Sequence, residues 1–131
     1  MSPMQERIHT WLQRFDLDAF LFAHTAKVLT ALPPQVLQDL MDDPSFLICD
    51  FEPGPGHVAA VPVGVPRAGE ASRSVVFKRT LRQRPTSFVR WLIAHELAHA
   101  HLRNQGRFPG DDPEQAADAL AAAWGFPRPQ T

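Results

Sequence analysis

The stretch Thr86 to Arg103 reads TSFVRWLIAHELAHAHLR, and Pro85 stands immediately before it. Proline stops whatever precedes it, and the mostly apolar run behind it predicts a strong helix. Inside that helix stands His95-Glu96-Leu97-Ala98-His99. Histidines four residues apart on a helix lie about 40° from each other and one turn up, so both imidazoles reach one ion. Glu96 stands about 100° from His95, which puts its carboxylate beside such an ion rather than on it. From there it can take a proton from a water molecule, the arrangement used by zinc hydrolases with this spacing. At average residue usage the pattern arises by chance in roughly half a per cent of chains this long. The plainer alternative is an amphipathic helix carrying two partly buried histidines.

A catalytic zinc takes three protein ligands and keeps a fourth position for water. A third histidine six residues beyond His99 is excluded, because that position is Gln105. The other solution is a carboxylate from a following helix. The segment Asp112-Pro113-Glu114-Gln115 opens one, with Asp112 at the N-cap, Pro113 at the first position and Gln115 in the reciprocal capping place. An alanine-rich run carries this helix to about Trp124, and Gly125 ends it. Glu114 and Asp118 share one of its faces. Glu114 is assigned as the third ligand, and Asp118 as the acceptor of a histidine N–H that fixes the ring. The exchanged assignment, with Asp118 on the ion, uses the same face. The helix dipole alone would also favour a first-turn glutamate at position 114.

Working outward, the thirteen prolines divide the rest of the chain. Residues 4–31 carry apolar residues at helical spacing, and Asp16 and Asp18 can split them into two helices. Pro33-Pro34 opens a third, Gln35 to Met41. Strands are expected at Ser45 to Phe51, at His57 to Val65 (broken by Pro62) and at Ser74 to Leu81. The order of helices, then strands, then two helices predicts an α+β fold with a small three-stranded mixed sheet. Its parts are a helical segment 1–43, a sheet 44–81, an active-site helix 86–104 and a ligand helix 112–125, in one domain. A length of 131 residues suits one domain and is short for two.

Composition narrows the function classes. Thirteen basic and fourteen acidic residues give a formal charge of −1, leaving no basic excess to neutralise nucleic-acid phosphates. Cys49 is the single cysteine, which excludes an internal disulfide and a zinc site built from several thiolates. Apolar runs such as Trp91 to Ala94 fall far below a membrane span. Gln5, Glu6 and Arg7 stand where a secretory signal needs an apolar stretch, so a cytoplasmic protein with neither a membrane nor a nucleic-acid partner is expected.

The residues His95-Glu96-Leu97-Ala98-His99 followed by Glu114-x-x-Ala117-Asp118 resemble the gluzincin clan of zincin metallopeptidases, and most closely the small ImmA/IrrE-type domains. The resemblance covers Val75 to Phe126. It differs from many of those domains in having Asp118 where they carry asparagine, and residues 1–43 show no clear helix-turn-helix. It implies a zincin-like minimal domain that holds Zn²⁺ on His95, His99 and Glu114 and hydrolyses peptide bonds, with Glu96 as general base and acid. Related enzymes often use tyrosine or histidine to steady the oxyanion, and this chain has no tyrosine. His57 is the first candidate for that role, ahead of His101, His24 or an arginine. His101 stands about 200° from His99 and so faces off the site. The substrate is then a peptide or protein, laid as an added strand along a sheet edge. The alternative function is a zinc-bearing domain that binds or regulates a protein with little or no turnover.

Overall fold

The computed structural model describes residues 2–43, 46–51, 74–105 and 113–129. The chain is helix-rich. Helices α1 (Pro3–Gln13), α2 (Ala19–Ala31) and α3 (Pro34–Asp42) come first, followed by strands β1 (Leu47–Phe51) and β2 (Ser74–Lys78). Helices α4 (Thr86–Gln105) and α5 (Pro113–Ala123) complete the order.

Local chemistry sets the helix ends. Ser2 and Gln5 form a reciprocal capping box at the start of α1: the Gln5 N–H donates to Ser2 Oγ at 3.2 Å and the Ser2 N–H donates to Gln5 Oε1 at 2.9 Å. The break between α1 and α2 falls at the two aspartates. Asp16 takes a left-handed φ of 53°, and Asp18 caps α2 by accepting the Leu21 N–H at 2.8 Å. The other Asp18 oxygen pairs with Arg82, tying the start of α2 to the segment before α4. Asp18→Ala removes both contacts and is expected to cost about 1–2 kcal/mol. Urea denaturation monitored by circular dichroism reads this as a lowered midpoint with an unchanged slope. An unmoved midpoint would mean that neither contact contributes.

The two strands pair in parallel, Leu47 opposite Ser74 through Phe51 opposite Lys78. Parallel neighbours cannot be joined by a tight hairpin. The strand expected at His57 to Val65 lies outside the described residues, so the described sheet has two strands. The strand expected to reach Leu81 stops at Lys78, and Arg79–Gln83 forms a 3₁₀ turn instead. Leu81 is buried all the same, so its apolar character reflects the core and not the backbone form.

The core runs through all the helices and both strands. Its centre is α4, which packs against α2, α3, α5 and β2. Val89, Ile93, Ala94, Leu97, Ala98 and Ala100 of this helix are fully buried, which explains why it is apolar around most of its circumference. A second tie holds α3 on it: the His101 Nδ1–H donates to Asp39 Oδ2 at 2.8 Å. Helix α5 brings Ala117 and Ala121, both fully buried, to the same core. Small side chains of this kind let two helices approach closely, and that approach sets the reach of Glu114 and Asp118 toward α4. Gly125, at φ +100°, ends α5 with the left-handed turn that glycine adopts at no steric cost.

Candidate metal centre

Helix α4 holds His95 and His99 one turn apart, each about 5 % exposed, beneath the first turn of α5. Pro113 starts α5 at a position where its missing N–H costs nothing, so Glu114 falls in that first turn. The three side chains converge. His95 Nε2 lies 3.1 Å from His99 Nε2, and Glu114 spans both, with Oε2 at 2.7 Å from His95 Nε2 and Oε1 at 3.1 Å from His99 Nε2. One ligand atom from each residue lies within 4.8 Å of the others, close enough to hold a metal ion. The imidazoles are buried, whereas the Glu114 side chain is 71 % exposed, so the group opens on the carboxylate side.

Asp118, one turn along α5 from Glu114, accepts the His95 Nδ1–H on Oδ1 at 2.8 Å. That bond fixes the ring orientation: Nδ1 donates to Asp118, which leaves Nε2 as the atom that faces Glu114 and His99. The 2.7 Å approach of Nε2 to a carboxylate oxygen is a hydrogen bond through a shared proton, a position that a cation could take instead. The donor set therefore fits a cation.

The electrostatics agree with this arrangement. Desolvation pushes the Glu114 carboxyl up, but hydrogen bonds from His99 and His95 and their charge outweigh it, holding Glu114 below its ordinary value. Glu114 thus stays available as an anionic ligand.

Glu96 lies next to His95 on α4, half-buried, and is not a member of the three-residue group. His57 lies outside the described residues. Neither His101 nor His24 belongs to the group: the first is bonded to Asp39, and the second accepts the Arg90 Nε–H on Nδ1 at 3.4 Å. Burial pushes the His24 imidazole below its ordinary pKa, and the Arg90 guanidinium adds to that. Phe88 and Leu92, two turns and one turn before His95, are partly buried against the core.

One neighbour was not singled out by sequence reasoning. Trp91 precedes His95 by one turn and donates its indole N–H to Asp118 Oδ1 at 3.1 Å. Its i, i+4 relation to His95 was the available signal, hidden because an indole also reads as ordinary core. Among the described residues no helix is long and apolar enough to cross a membrane. Comparison of the chain with protein families, with characterised proteins and with solved structures returns no match.

Proposed function

We propose that the chain is a small zincin-like metallopeptidase domain in which His95, His99 and Glu114 hold zinc and Glu96 moves the proton. The supporting observation is the convergence of two buried imidazoles, four residues apart, with a carboxylate from the next helix. Two imidazoles and one carboxylate suit zinc better than the harder, oxygen-seeking cations.

A bound zinc ion supplies a Lewis acid that lowers the pKa of water to about 7 and polarises a carbonyl. The protein supplies the rest. Asp118 holds His95 in the orientation that presents Nε2. Glu96 takes the proton of the attacking water on a carboxylate oxygen as the water oxygen bonds to the peptide carbon. It then delivers that proton to the amide nitrogen as the C–N bond breaks, leaving a carboxylic acid and an amine. His57 is the candidate second donor to the oxyanion in a chain without tyrosine.

Metal removal tests the reading. Protein purified without chelators is expected to carry about one zinc per chain by plasma mass spectrometry. Stripping with 1,10-phenanthroline is expected to stop cleavage of a fluorogenic peptide library, and equimolar zinc to restore it. Cleavage that continues at the same rate in metal-free protein would overturn the reading.

A further inference from the structure

We propose that Trp91 and Arg128 are positioning residues of the metal centre, acting on His95 through the Asp118 carboxylate. The inference rests on the metal reading above and concerns how the chain itself tunes that site. Both Asp118 oxygens are engaged. Oδ1 accepts two N–H bonds, from His95 Nδ1 at 2.8 Å and from Trp91 Nε1 at 3.1 Å, while Oδ2 faces Arg128 Nη1 at 3.9 Å.

Packing locks the indole that makes one of these bonds. Trp91 is about 6 % exposed, with its ring 5.3 Å from that of His95 and 5.4 Å from that of Phe88. A buried indole needs a partner for its one N–H, and this one uses the same oxygen that holds the metal-side histidine. Phenylalanine would fill much the same space without that bond. The Asp118 side chain is itself 30 % exposed, so a single bond to His95 would leave its carboxylate able to turn toward water. The indole N–H removes that freedom and so fixes the imidazole plane from a second direction.

Arg128 reaches this group because the chain doubles back after α5. Gly125 makes the turn, and the Phe126 N–H donates to the Ala121 carbonyl at 2.9 Å, anchoring the segment against its own helix. The Arg128 guanidinium then lies over the Trp91 ring, 5.1 Å from its centroid. Arg128 is 70 % exposed, and as an isolated surface pair with Asp118 it would do little. Placed over the indole and beside Oδ2 together, it completes the cage around the carboxylate.

The test is a double-mutant cycle on the full chain, read as zinc affinity by competition with a chromophoric chelator. Asp118→Ala is expected to weaken zinc binding by about 10- to 100-fold, and Trp91→Phe by about 10-fold. Arg128→Ala should cost about twofold. The deciding readout is non-additivity: in the Asp118→Ala background, Trp91→Phe and Arg128→Ala should each cost nothing further. Cobalt substitution gives an independent signature, since Trp91→Phe should shift the visible ligand-field bands of the wild type. Wild-type affinity in Trp91→Phe, or losses that add in full without Asp118, would overturn the proposal while leaving the metal site standing. Should Trp91→Phe fail to fold, the exposed Arg128→Ala decides by the same cycle. A wild-type chain that takes up no zinc would overturn the metal reading and this one with it.

Discussion

Glu96→Gln is expected to abolish peptide hydrolysis while leaving zinc in place. The substitution keeps the volume and shape of the side chain and removes its capacity to accept a proton. General acid–base groups contribute about 10²- to 10⁴-fold to rate, so kcat should fall by at least that range with stoichiometric zinc retained. Zinc is expected to stay because Glu96 lies outside the group formed by His95, His99 and Glu114. The same variant separates the two functional readings. Hydrolysis lost with zinc retained identifies an enzyme with Glu96 as its base. Undiminished hydrolysis would assign the proton to another group. A zinc-loaded wild type without turnover, whose binding to a protein partner survives Glu96→Gln, would mark a binding domain.

The parts of this molecule that its sequence announces are those fixed by neighbours within one helical turn. The break between α1 and α2 was readable because Asp18 is a capping residue and acts on Leu21, three positions away. The extent of α5 was readable for the same reason, with proline at one end and a left-handed glycine at the other. The histidine pair also belongs to this class, since four-residue spacing on a helix fixes its own geometry. Partner choice across the chain is different. The parallel direction of β1 and β2 depends on pairing between residues more than twenty apart, which alternation within either strand does not encode. Arg79 to Leu81, the first part of the 3₁₀ turn Arg79–Gln83, read as the end of a strand because burial of an apolar Leu81 is indifferent to which backbone form delivers it.

The surroundings of the candidate site divide along the same line. Glu114 and Asp118 could be placed on one face of a helix from spacing alone, but which carboxylate faces which nitrogen depends on how closely α5 packs on α4. In the structure Glu114 meets both Nε2 atoms and Asp118 meets Nδ1. The choice follows from the shift of one helical turn between the two carboxylates. Trp91 and Arg128 escaped notice because each has an ordinary reading, one as core and one as solvated surface. The Trp91 contact with Asp118 exists only once α5 has packed on α4, and that of Arg128 only after the chain has turned back at Gly125.

His95→Ala is expected to eliminate stoichiometric zinc, and the loss should appear in stability as well as in metal content. Structural zinc binds with about 10–16 kcal/mol over four ligands, or about 2.5–4 kcal/mol each, so removing one imidazole should weaken binding by roughly two to three orders of magnitude. His95 has contacts on both ring nitrogens. It contacts Glu114 and His99 through Nε2 and Asp118 through Nδ1, so its removal deprives Asp118 of its hold on the site as well. A ligand that binds only the folded chain stabilises it by about 4 kcal/mol when present at a thousand times its dissociation constant. For a chain of this size that corresponds to a rise in Tm of roughly 10 °C or more. Calorimetry should show that rise when zinc is added to stripped wild-type protein, and only a small fraction of it in His95→Ala at the same zinc concentration. The metal-free proteins should differ far less from each other. In the metal-free chain, deleting the ring forfeits the hydrogen bonds to Glu114 and Asp118 and leaves a small cavity, a smaller loss than that of the metal. Equal zinc-induced shifts in wild type and variant would place the bound metal elsewhere and remove His95 from the ligand set.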